Sequence, residues 1–268
     1  MIRMLASVRN LDEARDAASA GADLIDLKEP GAGALGAVSA PSIADIVQSL
    51  RAEHPRLPIS AAIGDLRPGD HASLEYRASQ AGRCGVDYVK AGVPADSASF
   101  DIACRTLSYM RGLHWNMVPV LLVDNGLDLR VVEHACELRF AGVMVDTASK
   151  KRGNLFQCVP LAALDSMVQI ARVHDVMPGL AGALLSKHVP LIRALGPEIA
   201  GFRTALCDGS RTGRLNADRV RDLRAQLSGR AAIADPAAAP AANPAAAPAA
   251  HPAANDTGFE VSPQSAVA

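Results

Sequence analysis

The fold this sequence predicts is an α/β fold, a single (β/α)8 TIM-type barrel, and three observations carry the expectation. Over residues 1 to about 228, short apolar strands alternate eight times with longer amphipathic segments, the pattern of parallel strands joined by crossover helices. The turn after the first strand, "SVRNLDEA", has no G-x-G-x-x-G, which a dinucleotide-binding doubly wound sheet would carry there. Beyond Gly229 the alternation stops and "IADPAAAPAANPAAAPAAHPAAND" takes over. Regular Pro blocks helices and sheet ladders, and Ala offers little to bury, so residues 229–268 read as a disordered Ala/Pro-rich tail behind a barrel domain of residues 1–228.

The elements follow in order. "MLASV" (4–8) is the first strand, and "LDEARDAASAG" the first helix, capped by Asn10 and stopped by Gly21. "LIDLK" (24–28) is the second strand, and its period of two puts Asp26 and Lys28 on one face. The later strands are "ISAAIGD" (59–65), "YVKAG" (88–92), "VPVLLVD" (118–124), "GVMVD" (142–146), "GLAGAL" (179–184) and "AGFRTA" (200–205). Amphipathic helices are expected near 41–53, 71–82, 98–112, 127–139, 161–174, 187–195 and 216–227.

Composition narrows the function. A formal net charge of -1 over 268 residues argues against nucleic acid or an anionic membrane as partner, and no apolar run reaches the roughly 20 residues that span a bilayer. The early charges in "MIRMLASVRNLDEARD" do not suit a secretory leader, so a cytoplasmic protein is expected. Cys84, Cys104, Cys136, Cys158 and Cys207 form no CxxC pair, and the histidines form no HxH or HExxH. Reduced thiols and no metal are the expectation. His54, His71, His114, His134, His174 and His188 fall in helices or their flanks, and no GxSxG elbow occurs; Trp115 reads as packing.

Of 27 basic residues only five are lysines: Lys28, Lys90, Lys150, Lys151 and Lys187. Barrel chemistry sits at the C-terminal ends of the strands. Lys28, Lys90 and Lys150 fall at the ends of the second, fourth and sixth strands, while Asp26, Asp65, Asp124 and Asp146 fall at strand ends two, three, five and six. In a chain that otherwise uses Arg, a Lys asks for a reason, because Arg cannot lose its proton and Lys can. An amine of lowered pKa attacks a carbonyl to give an iminium, an electron sink that acidifies the neighbouring C–H. A second Lys can serve as acid or base, with an Asp orienting it. Lys151 and Lys187 lack such placement and read as surface residues.

The late strands offer the other half. Gly179 and Gly182 flank the seventh strand, and "GFRTALCDGSRTGRL" supplies Arg203, Thr204, Gly209, Ser210 and Arg211. Loops after the seventh and eighth strands are the recurrent phosphate site of this fold, so Gly182, Arg203, Thr204, Gly209, Ser210 and Arg211 are the expected phosphate contacts. Gly31, Gly33 and Gly36 in "EPGAGALGA" make a loop over Lys28 that reads equally as a lid or a connector. The residues alone leave open a Schiff-base aldolase, a sugar-phosphate isomerase and a non-catalytic sugar-phosphate-binding protein.

The segments "GADLIDLKEPGAGALGA", "GVDYVKAG" and "VMVDTASKKRGNLF", with "LAGAL" and "GFRTALCDGSRTGRL", resemble the signature segments of (5-formylfuran-3-yl)methyl phosphate synthases across about residues 1–228. The resemblance implies a (β/α)8 lyase of methanofuran-type one-carbon carrier biosynthesis. Such a lyase condenses two glyceraldehyde 3-phosphate molecules with loss of phosphate and water, without organic cofactor or metal. Carried over by motif, it makes Lys28 in "DLK" the Schiff-base lysine and Lys90 in "YVKAG" the proton acceptor. Asp26, Asp146 and Lys150 match further polar positions of the family's site. The chain departs from the family in its tail and in a shorter "CDGSRTGRL" loop. Barrels of this size commonly associate, so a homo-oligomer is expected.

Overall fold

The computed structural model describes residues 1–149 and 153–229, so Lys150, Lys151 and the Ala/Pro-rich tail lie outside the described residues. Eight strands close into a barrel in chain order, and each neighbouring pair is parallel. They are β1 (Arg3–Val8), β2 (Leu24–Leu27), β3 (Ile59–Ala62), β4 (Tyr88–Pro94), β5 (Met117–Leu122), β6 (Gly142–Asp146), β7 (Met177–Leu180) and β8 (Ile199–Phe202). Pairing of Leu5 with Gly201 and of Ala6 with Phe202 closes β8 onto β1.

The crossover helices are α1 (Leu11–Ser19), α2 (Ala40–Glu53), α3 (His71–Gly82), α4 (Phe100–Gly112), α5 (Leu129–Glu137), α6 (Leu155–Cys158), α7 (Leu161–Val173), α8 (Val189–Leu195) and α9 (Ala217–Leu227). Several of their starts are set by side chains that accept orphan backbone N–H groups. Asn10 caps α1, Ser39 α2, Asp70 α3, Asp128 α5 and Asn216 α9.

Strand alternation divides the apolar residues into two sets. Met4, Ile25, Leu27, Val89, Leu121 and Val143 face outward and pack under the helices. Leu5, Leu24, Ala62, Val118, Val120, Met144 and Ile199 face inward and fill the lumen, where Leu35 joins them from the loop after β2. On the β6–β7 side Met144 fills the space above Gly179, where an added Cβ would come within 2.6 Å of it.

Several features depart from the sequence expectation, among them the third and eighth strands, which stop at Ala62 and Phe202 rather than at 65 and 205. The seventh strand starts two residues earlier than expected and stops at Leu180, because Gly182 (φ +112°) and Ala183 (φ +49°) leave the extended region. The one-turn α6 was not foreseen: it is nucleated by a capping box between Asn154 and Gln157. The glycine-rich stretch after β2 holds a 3-10 turn, Pro30–Ala32, capped by Glu29. No described helix is long and apolar enough to cross a membrane.

Candidate active site

The lumen is apolar at its N-terminal end and turns polar where β2 and β4 carry Asp26 and Lys90. Both are buried: Asp26 is wholly sequestered, and Lys90 is 4% exposed. Burying such a pair calls for hydrogen bonds, and neighbouring strands supply them to the carboxylate. Lys90 Nζ donates to Asp26 Oδ1 at 2.9 Å, the Ser60 hydroxyl donates to the same oxygen at 2.7 Å, and the Ser7 hydroxyl donates to Oδ2 at 3.0 Å. One turn of the barrel higher, Lys28 Nζ donates to Asp146 Oδ2 at 3.3 Å, and the Thr147 N–H holds Asp146 Oδ1 at 2.7 Å. Two lysines and two carboxylates thus alternate in one pocket at the C-terminal mouth.

The two ammonium groups are perturbed in opposite directions. Burial alone would push Lys28 down, but Asp146 and Asp26 outweigh it and hold Lys28 above the ordinary lysine value. Burial, with the positive charge of Lys28 beside it, draws Lys90 below that value in spite of Asp26. Asp26, which burial would raise, is held low by Lys90 and then Lys28. Lys90 is therefore the lysine more ready to carry a lone pair, and Lys28 the one held as a cation at rest.

The other expected carboxylates serve loops rather than the pocket. Asp65 accepts from the N–H groups of Ala34 and Leu35 at 3.3 and 3.2 Å, and Asp124 accepts from those of Ala148 and Ser149, both at 2.6 Å. Asp65 so pins the loop over Lys28, and the lid reading gives way to a laced connector. Gly33 sits in that loop at φ +118°, ψ -171°, where an added Cβ would strike the Asp65 carboxylate. Gly33→Ala is expected to destabilise the fold by about 1–3 kcal/mol, the cost of forcing a side chain into a glycine-only region. Thermal unfolding alongside activity checks this, and an unchanged midpoint would show that the loop can rearrange freely.

The expected phosphate residues separate into two groups. Gly182, Thr204, Arg203 and Arg211 line the pocket, whereas Gly209 and Ser210 lie on an exposed turn outside it. The Ser210 hydroxyl is engaged there with Thr212 at 2.9 Å. Arg203 also departs from the expectation. Its guanidinium has five N–H donors, and all are placed: on Glu13 Oε2 and Oε1, Ser7 O, Arg211 O and Gly213 O. Arg203 therefore braces the wall and has no donor left for a ligand. Among the described residues Arg211 uses only Nη2, which reaches across the mouth to the carbonyls of Pro30 and Gly33 at 2.6 and 2.7 Å. Its charge lies close enough to Lys28 to work against protonation there. The Thr204 hydroxyl has no hydrogen bond among the described residues.

Sequence reasoning missed Ser7, Ser60 and Glu13. A Ser at an inward position of an otherwise apolar strand was a visible signal for the first two. Glu13 was read only as part of the first helical turn, yet it is 2% exposed. All five cysteines are free thiols, and burial pushes Cys136 up to about 12. Among the described residues no group of His, Cys, Asp and Glu could hold a metal ion.

Known proteins share this chain's sequence and fold. A family model described as 4-HFC-P synthase matches residues 4–224. A (5-formylfuran-3-yl)methyl phosphate synthase of Archaeoglobus fulgidus is 30% identical, over 85% of this chain and 100% of that one. One from Methanopyrus kandleri is 31% identical, over 84% of this chain and 99% of its own length. The crystal structure of phosphoribosyl anthranilate isomerase from Thermotoga maritima superposes with a TM-score of 0.59 at 15% identity, covering 85% of this chain and all of that one. That likeness concerns the fold alone.

Proposed function

The chain belongs to the 4-HFC-P synthase family, and from that premise we propose that it is a Schiff-base lyase joining two molecules of glyceraldehyde 3-phosphate into (5-formylfuran-3-yl)methyl phosphate. Phosphate and water leave, and the product feeds a methanofuran-type one-carbon carrier. The observation that carries the reading is a pair of lysines in one pocket, each held by its own carboxylate, with the two amines shifted in opposite directions. Covalent carbonyl chemistry needs an amine to attack and a second group to move protons, and a pair of lysines shifted apart can divide those tasks.

In this reading Lys28 is the nucleophile. Lys90, drawn toward its neutral form, relieves Lys28 of its proton, passes that proton to the carbinolamine hydroxyl that leaves as water, and is then free to take one from the carbon beside the iminium. One triose phosphate, isomerised to the ketose, loses its carbonyl oxygen as water when Lys28 Nζ forms the C=N bond. Deprotonation gives an enamine, whose carbon bonds to the aldehyde of the second triose phosphate. Elimination of phosphate, ring closure and dehydration aromatise the ring, and water releases Lys28. Asp146 and Asp26 hold the two amines in place, and Lys150 is a further proposed member of the site. Arg211, Thr204 and the loop at Gly182 are the proposed phosphate contacts, since Arg211 keeps guanidinium N–H groups without partners among the described residues. The reading places the enzyme in the cytoplasm and leaves its activity within residues 1–228.

The test is direct. Purified protein given glyceraldehyde 3-phosphate should produce a conjugated furan aldehyde, seen as a new ultraviolet band, in step with released phosphate. Phosphate released without the band would mean simple elimination from the triose, and the furan-forming reading would fall.

A further inference from the structure

Glu13 poses a question that the chemistry above does not answer. It lies in the first turn of α1, outside the barrel, where a Glu would ordinarily face water, and yet it is buried. Burial of a carboxylate calls for donors on most of its lone pairs, and Glu13 has four: the N–H groups of Arg9 and Leu215 at 3.1 and 3.3 Å, and two from Arg203. Arg203 and Leu215 bound the segment that carries Arg211.

That segment, 203–215, is folded onto itself. Cys207 and Leu215 form an isolated antiparallel bridge, and the Asp208 N–H donates to Arg214 O at 3.0 Å. Its inner carbonyls point at Arg203: Nε holds Arg211 O and Nη2 holds Gly213 O, both at 2.8 Å. Arg203 thus grips Arg211 by its backbone, and the Arg211 side chain then spans the mouth to Pro30 and Gly33 beside Lys28. From Glu13 to the pocket the connection is continuous: carboxylate, guanidinium, carbonyl, guanidinium.

We infer that Glu13 is a positioning residue for substrate phosphate: acting through Arg203, it fixes where Arg211 stands over Lys28. This inference rests on Arg211 as a phosphate contact in the reading above. A guanidinium placed in advance recognises phosphate without first ordering a loop, so loss of the brace weakens binding more than the chemical step.

Two variants test it, because a purely structural ion pair predicts a different pattern. Arg203→Lys keeps a cation opposite Glu13 but cannot reach the carbonyls of Arg211 and Gly213 as a fork does. Glu13→Gln keeps the shape of the side chain and loses its charge. Both are expected to raise KM for triose phosphate about tenfold, with kcat changed by less than about threefold, and to lose the rise in melting temperature that inorganic phosphate should give the wild type. Glu13→Asp should recover part of the effect. Combining Arg203→Lys with Arg211→Ala should be no worse than Arg211→Ala alone, since both act on one guanidinium.

Arg203→Lys with wild-type KM and wild-type response to phosphate would overturn the inference, even if Glu13→Gln failed to fold. So would additive effects in the double variant. An Arg211→Ala protein that still responds fully to phosphate would instead refute the phosphate contact itself, a failure of the reading beneath.

Discussion

Replacing Lys28 with alanine is expected to lower turnover by about 10⁴-fold, equivalent to about 5.4 kcal/mol of lost transition-state stabilisation. The same replacement should leave the fold intact. Asp146, the partner left behind, is buried but lines the pocket and keeps the Thr147 N–H at 2.7 Å, so its charge retains a donor. Lys28→Arg is the sharper variant. It preserves a cation beside Asp146 but cannot deprotonate, so an electrostatic role for Lys28 predicts retained activity and a nucleophilic role predicts the same loss as alanine. Borohydride reduction of the wild type with triose phosphate should fix the sugar skeleton on Lys28, and neither variant should take the label. The resting electrostatics make this a demanding test. Lys28 is the cation and Lys90 the amine more readily neutral, so an enzyme that simply used whichever amine loses its proton first would be labelled at Lys90. A label on Lys90 in the wild type would exchange the two roles.

The route by which the sequence led to this pocket shows which parts of a site local pattern can disclose. Period-two alternation put Asp26 and Lys28 on one face, and the scarcity of lysine singled out Lys28, Lys90 and Lys150; the structure sets the first two in one pocket, and the third lies outside the described residues. Alternation is a property of a single strand, and so it can be read locally. What joins strands cannot. Asp26 is the partner of Lys90, and Asp146 that of Lys28, a crossed pairing set by the barrel's curvature and invisible in "LIDLK". Arg203 and Arg211 illustrate the same limit. Both stand in one glycine-rich stretch with the composition of a phosphate loop, yet Arg203 is consumed by Glu13, 190 residues away in sequence, while Arg211 turns inward. Asp65 and Asp124 also sit just past strand ends as expected, but what they bind are backbone N–H groups of loops from other βα units. Strand ends collect charge for two purposes, reacting and fastening, and only the three-dimensional partner distinguishes them.

Lys90→Gln is expected to slow the reaction by about 10²–10⁴-fold, the range lost with a positioned general base, and to change its pH dependence as well as its rate. In the wild type kcat/KM should rise with pH as Lys90 passes from cation to amine, and this limb should fall below the ordinary lysine value of 10.5, because burial and Lys28 draw Lys90 downward. The variant, having nothing to titrate there, should lose the limb; a limb that persists in Lys90→Gln would belong to another group. Stability should report the same group. A lysine whose folded value is lowered binds fewer protons in the native state than in the unfolded chain between the two values, so its contribution to stability rises with pH across that window. Wild type should therefore gain on Lys90→Gln in denaturant midpoint as pH approaches 10.5 from below. Lys90→Met separates donor from charge. Asp26 then keeps Ser7 and Ser60 but loses its nearest cation at zero exposure. Removing one partner of a buried pair costs about 3–5 kcal/mol, and the two hydroxyls and the charge of Lys28 should hold the loss near the lower end. Gln can still donate to Asp26 and should lose less. An equal loss in both variants would mean that charge, not the hydrogen bond, is what Lys90 gives to Asp26.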